Sequence, residues 1–250
     1  MTASERQVAQ RSVIDDIQLP TWRHVFKLDP DKEISDEALD QVCLSGTDAI
    51  IVGGSSGVTF ENTVDLMARI RRYELPAVQE VSDLDAVVPG FDAYLIPMVL
   101  NTTNPDWLVG QHQRAIEQYG YMMPWELLIP EGYLILNPDC TAAKVSEANA
   151  NLSKKEAVAY AQVADKLMQL PLVYIEYSGT FGDMDTVKAI RTAISQAFVI
   201  YGGGIKTAGQ AREAAEAADV VVVGNIIYED MAAALATVNT VKEINKEDNV

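Results

Sequence analysis

Short, nearly unbroken apolar runs recur along the chain, separated by longer stretches in which apolar positions return at helical spacing. Eight runs stand out, at 24–29, 48–53, 77–82, 93–100, 133–137, 172–177, 197–201 and 220–224. Strands buried on both faces read as continuous rather than alternating runs, so this pattern predicts a parallel sheet. Between them, 35–45, 61–73, 107–119, 154–169, 183–194 and 208–217 predict helices, several opened by Ser, Asn or Asp where an N-cap belongs. Repeated β/α units fold as an open doubly wound sheet or a closed barrel, and eight of them in 250 residues favour closure.

The third crossover breaks the rhythm. Only 83–92, containing Pro89-Gly90, separates the third and fourth runs, too little for a full helix with its loops. The expected fold is therefore α/β, a single (β/α)8 TIM barrel with a reduced or missing third helix. Residues 1–20 precede the first strand as an N-terminal extension, expected to be mobile or loosely docked, and 21–250 form the phosphate-binding barrel.

Composition sharpens this picture in three places. With 19 basic against 36 acidic residues, the formal charge of −17 argues against nucleic acid as a partner and requires any anionic substrate to be held locally. Cys43 and Cys140 are too few for a disulfide framework and carry no CxxC spacing, which fits a reducing, cytoplasmic location. The first residues are polar, without the apolar stretch of a signal peptide, and no run is long enough for a transmembrane segment, so contact with a membrane is expected to be transient at most.

Candidate chemistry follows from the residues that end each strand, because barrels of this kind work at the C-terminal ends of their strands. The seventh run ends in Tyr201-Gly202-Gly203-Gly204 and the eighth in Gly224-Asn225, where main-chain N–H groups can approach a phosphate without a Cβ in the way. The bland explanation of these glycines is tight βα turns. The sixth run ends in Glu176-Tyr177-Ser178-Gly179; Glu176 and Tyr177 have opposite parity, so only one points into the mouth. An inward Glu176 could accept a hydroxyl proton, against the bland alternative of a rim salt bridge.

Across the rim, Lys27 and Asp29 share parity at the end of the first strand, opposite Gly53-Gly54-Ser55-Ser56-Gly57 after the second. Such a cation, carboxylate and hydroxyl suit a diphosphate and its Mg2+, which often needs only one or two protein oxygens. Lys-x-Asp alone is a weak signal. Asn101, Asn137, Asp139 and Cys140 complete the mouth, and Tyr94 and Tyr133 are candidates for an aromatic wall. His24 should point away from the Lys27 face, no Cys/His cluster has zinc spacing, and neither a GxxxxGK[ST] nor a GxGxxG loop occurs.

These residues fall into ordered motifs: W-x-H-V-F-K-L-D-P at 22–30, S-G-T-D-A-I-I-V-G-G-S at 45–55, Y-I-E-Y-S-G at 174–179, Y-G-G-G-I at 201–205 and V-V-G-N at 222–225. Together they resemble the geranylgeranylglyceryl phosphate synthase family, in particular its bacterial heptaprenylglyceryl phosphate synthase branch, from about Trp22 to beyond Tyr228. The resemblance implies a Mg2+-dependent prenyltransferase that joins sn-glycerol 1-phosphate to a polyprenyl diphosphate, making an ether lipid precursor and pyrophosphate. It assigns Lys27 to the glycerol phosphate, Asp29 and Ser55 to Mg2+ and the diphosphate, and Tyr174, Ile175, Glu176, Tyr177, Ser178, Gly179, Gly204, Gly224 and Asn225 to the glycerol phosphate pocket. Glu176, Lys27 and Asp29 are the implied catalytic set.

The resemblance also places small Ala115 where archaeal relatives carry a large aromatic, so a heptaprenyl (C35) chain is expected; the bland alternative is simple helix packing. A homodimer is implied too, with Trp107-Leu108 and 121–128 as candidate contacts. Two competitors share the phosphate-binding features: a sugar-phosphate isomerase or lyase, which needs no prenyl groove, and a catalytically silent phosphate sensor.

Overall fold

The computed structural model describes residues 13–247. Its eight strands are β1 (His24–Leu28), β2 (Ala49–Val52), β3 (Ala77–Glu80), β4 (Ala93–Val99), β5 (Leu128–Ile135), β6 (Leu172–Glu176), β7 (Phe198–Gly202) and β8 (Val220–Val223). All pair in parallel in sequence order, and β8 closes on β1 through His24↔Val221 and Phe26↔Val223. The helices are α1 (Asp36–Cys43), α2 (Phe60–Ile70), α3 (Gly110–Tyr119), α4 (Thr141–Val145), α5 (Lys154–Gln162), α6 (Met184–Ala193), α7 (Ala208–Ala217), α8 (Ile226–Glu229) and α9 (Met231–Glu247).

Helix starts follow the capping residues. Ser35 Oγ accepts from the Ala38 amide, and Thr59 with Asn62 and Ser153 with Glu156 form reciprocal capping boxes that satisfy otherwise orphaned N–H groups. The helix predicted over 154–169 changes to a π-helical segment, Val163–Met168. There the buried Asp165 carboxylate accepts from the amides of Gln196 (2.9 Å), Ala197 (2.8 Å) and Ser195 (3.2 Å), tying this segment to the entry of β7.

The third crossover holds no α-helix, only the 3-10 turn Leu84–Ala86 capped by Asp83. Outward-facing Gln79 replaces what a helix would supply: its Nε2 donates to Ala86 O (2.7 Å) and its Oε1 accepts from Val88 N (3.0 Å). Tyr94 also faces outward and donates to Val88 O (2.9 Å), so it is no part of an aromatic wall inside the mouth.

Two apolar layers result. Phe26, Leu28, Ile50, Val52, Ile175, Val199 and Val221 pack between strands and helices, while Val25, Ile51, Val78, Leu95, Ile129, Tyr174, Ile200 and Val222 fill the barrel interior. The extension expected over 1–20 is described from residue 13, and that part is firmly docked. Val13, Ile17, Leu19 and Trp22 are buried and join the interior layer beneath the strand N-termini, with Trp22 Nε1 donating to Ile17 O at 3.0 Å. Residues 1–12 lie outside the described residues.

Candidate active site

At the C-terminal ends of the strands the interior turns from apolar to polar. Inward-facing Lys27, Glu80, Glu131, Tyr133, Tyr174 and Glu176 come from β1, β3, β5 and β6, and each carboxylate is almost wholly buried. Lys27 Nζ donates to Glu80 Oε1 at 2.6 Å and stands 5.4 Å from the centroid of the Tyr174 ring. Burial works against its charge, but the neighbouring carboxylates, Glu80 first and then Glu176, outweigh burial and raise the ammonium above its ordinary range, so Lys27 stays a cation.

Glu176 points inward, as one of its two possible parities requires. Its Oε2 accepts from the Tyr133 hydroxyl at 2.6 Å and its Oε1 from the Ser178 amide. Tyr133 stacks on Tyr174 with centroids 4.8 Å apart and 12° between planes. Burial first, then the Glu176 charge, push the Tyr133 phenol well above its usual range, so it acts as a donor. Ile175 and Tyr177 carry the other parity: Ile175 is sealed under the helices and Tyr177 packs by Tyr201, so neither side chain reaches the interior and only their main chain can face a ligand. Ser178 and Gly179 are exposed at the rim.

The glycine turns owe part of their composition to packing. A Cβ on Gly202 would overlap the Tyr174 hydroxyl, and Gly204, at φ +44°, lies against the main chain of Thr180 and Phe181, leaving no room for a side chain. The β7 turn can thus close tightly on the β6 turn. Gly224 is open toward Lys27: a Cβ built there would lie 4.0 Å from Lys27 Cβ. Asn225 is exposed and accepts from Lys32 Nζ at 2.7 Å. Because β8 closes on β1, the two phosphate-compatible regions of the sequence become neighbours.

Asp29 is half-buried beside Gly54, where a Cβ would sit 2.5 Å from Asp29 Oδ1. That oxygen accepts from Asp31 N (3.1 Å), while the Asp29 amide donates to Tyr228 Oη (3.1 Å). Burial raises the Asp29 carboxyl, and the Asp31 amide and Lys32 partly offset this. A half-buried carboxylate against a glycine loop that carries the exposed hydroxyl of Ser55 fits a hard, oxygen-seeking cation that needs few protein ligands. No group of three or more His, Cys, Asp or Glu gathers as a metal cage among the described residues.

Other mouth residues are structural. Asn101 bonds Ile135 and Asn149, Asn137 Nδ2 donates to Ser178 O (2.6 Å), and Cys140 Sγ caps α4 by accepting from Ala143 N. His24 is sealed behind the barrel wall between Thr47 (3.0 Å) and Thr237 (2.9 Å). Glu80 and Glu131 went unnoticed in the sequence. Both are carboxylates on apolar strands with inward parity; the second lies ahead of the apolar run at 133–137, whereas β5 starts at Leu128.

Ala115 is half-buried in α3, a helix with no fully buried residue. Around it Val109, Ile116, Tyr121, Met122 and Trp125 are exposed, whereas Trp107 and Leu108 are half-buried and pack partly against the core. Residues 121–128 form no helix but a turn, the 3-10 segment Trp125–Leu127 and the start of β5. A shallow hollow lined by Asp40, Gln41, Leu44, Ser45, Leu235 and Asn239 lies between α1 and α9, on the outside of the barrel and away from these groups.

Fold and site together define a (β/α)8 barrel with a buried, hydrogen-bonded carboxylate and glycine turns at one mouth. The PcrB family model matches residues 17–242, and the chain belongs to that family. It is 52% identical to the heptaprenylglyceryl phosphate synthase of Geobacillus thermodenitrificans, over 93% of this chain and 98% of that one. It is 56% identical to the corresponding synthase of Brevibacillus brevis, over 88% and 96%. Among solved structures, the (S)-3-O-geranylgeranylglyceryl phosphate synthase of Thermoplasma acidophilum, in complex with sn-glycerol-1-phosphate, superposes with a TM-score of 0.81 at 25% identity, covering 97% of this chain and 99% of that one.

Proposed function

We propose that the protein transfers a long polyprenyl group, C35 by the Ala115 criterion, from its diphosphate to the primary hydroxyl of sn-glycerol 1-phosphate. The allylic C–O bond of the diphosphate breaks, the hydroxyl oxygen bonds to the allylic carbon, its proton passes to Glu176, and pyrophosphate leaves. The observation that carries this reading is Glu176 itself: a buried carboxylate fixed from both sides by Tyr133 and the Ser178 amide, at the mouth beside a charged Lys27. The names of the relatives support the same reaction.

Within this reading Lys27 holds the glycerol phosphate from below, with Tyr174, the main chain of Ile175 and Tyr177, Ser178, Gly179, Gly204, Gly224 and Asn225 around it. Asp29 and Ser55 would hold Mg2+, which supplies charge neutralisation for the departing diphosphate. Trp107, Val99, Tyr133 and Ile135 belong to one apolar cluster at the β4–β5 side of the mouth, the side from which α3 and Ala115 extend, and this supports a path for the prenyl chain. The exposed apolar residues around α3 support a homodimer contact or a transient membrane contact. No helix among the described residues is long and apolar enough to cross a membrane.

A sugar-phosphate isomerase or lyase would use the same glycine turns but has no need of the apolar side of the mouth. Incubation with sn-glycerol 1-phosphate and prenyl diphosphates of graded length, with and without Mg2+, should give an ether product favouring the longest chains. Absence of any ether product at every chain length would overturn the assignment.

A further inference from the structure

The throat of the barrel sets one cation against three carboxyl groups. Lys27 from β1 is paired with Glu80 from β3, and both oxygens of Glu176 from β6 are occupied by Tyr133 and the Ser178 amide. Glu131 from β5 is the exception. It is 0% exposed, lies on the inward face level with Pro97 and Leu172, and neither of its oxygens has a hydrogen-bond partner among the described residues. Glu80 Oε2 is buried and unpartnered as well.

An ionised carboxylate in that place would have no donor and would add a third negative charge against a single positive one, in the interior beneath the mouth. Both are costly in a medium of low polarity. A neutral acid avoids both costs and offers an O–H donor in a throat where Glu80 Oε2 lacks one. The charges acting on Glu131 are Glu80, Lys27 and Glu176, with Tyr174 beside Glu176 on β6 and Tyr133 on its own strand. Burial, then Glu80, raise its carboxyl well above the ordinary range against the opposing pull of Lys27.

We propose that Glu131 is held as a neutral carboxylic acid at neutral pH and is a positioning residue: it limits the negative charge of the throat, so that Lys27 faces the incoming phosphate with Glu80 and Glu176, and no third carboxylate, as its counter-charges. Glu131 touches no reacting atom. Its effect passes through the Glu80–Lys27 pair, so it bears on glycerol phosphate affinity more than on turnover.

Infrared spectra of the full chain carrying 13C-labelled glutamate test the proton directly. A protonated carboxyl band that shifts with the label should be present at neutral pH in the wild type and absent in Glu131→Gln. In steady-state assays Glu131→Gln, which fixes the neutral form, should keep the KM for sn-glycerol 1-phosphate within about twofold of wild type and flatten its rise toward alkaline pH. No glutamate acid band in the wild type at neutral pH overturns the proposal, as does a Gln variant whose KM rises about tenfold or more with kcat unchanged. Should Glu131→Gln fail to fold, the wild-type infrared titration decides alone. The kinetic half rests on glycerol phosphate being the substrate and the infrared half does not: a glutamate acid band without any ether product would keep the acid and discard the transferase.

Discussion

Tyr133 donates a 2.6 Å hydrogen bond to Glu176 Oε2 across the β5–β6 ladder, where Tyr133 is level with Tyr174 and Ile135 with Glu176. The bond fixes the carboxylate rotamer and leaves the Ser178 amide to hold the other oxygen. Replacing Glu176 by Gln should lower kcat by about 10²–10⁴-fold with little change in glycerol phosphate affinity. Tyr133→Phe should cost less, since the Ser178 amide still orients the acid. Single-turnover rates set against equilibrium binding separate the two effects; equal losses in both variants would place the essential group on Tyr133.

Asp29 has its own hydrogen-bond partners, separate from the Lys27–Glu80 pair, and opens the loop whose Lys32 reaches Asn225. Asp29→Ala should therefore retain sn-glycerol 1-phosphate binding by calorimetry while losing turnover and its dependence on Mg2+. Loss of glycerol phosphate binding instead would merge the two rims into one site.

Ala115 lies on a helix whose residues are all at least partly exposed, so a larger side chain there can be accommodated without crowding the core. Ala115→Trp should leave the fold intact and shift the product toward shorter prenyl chains, read by mass spectrometry with a mixture of diphosphates. An unchanged product distribution would make this position simple packing.

Acid stability should fall in two stages. Burial holds the neutral His24 imidazole down to about 3, so the unfolded chain takes up the extra proton first and stability declines as pH drops from about 6.5 toward 3. Burial would raise the Asp165 carboxyl, but the Lys166 ammonium and the amides of Ala197, Gln196 and Ser195 outweigh it and pull it to about 2. Its contribution is complete above about pH 4 and is lost as pH falls through about 2. Asp165→Asn should cost about 1–3 kcal/mol at neutral pH and remove the second stage from a denaturation series.

Much of the barrel was legible because parallel strands buried on both faces leave unbroken apolar runs, and even the missing third helix followed from the short 83–92 spacing. Local patterning cannot reveal what long-range closure brings together. The Lys27–Glu80 pair joins residues 53 positions apart, and Lys32 meets Asn225 only because β8 returns to β1. Parity made Glu176 a candidate, but the same parity put Ile175 and Tyr177 on the outer face, a distinction that motif matching does not draw. Glu131 stayed hidden because the unbroken apolar run starts only at 133, whereas the ladder extends from Leu128 to Ile135 and accommodates Pro130.

The segment that brings Val13, Ile17, Leu19 and Trp22 beneath the strands serves as a stopper for the lower opening. A chain shortened to begin at the first strand would wet Val25, Ala49 and Val220 from below, so trimming this segment is expected to weaken a mouth at the opposite end that it never touches.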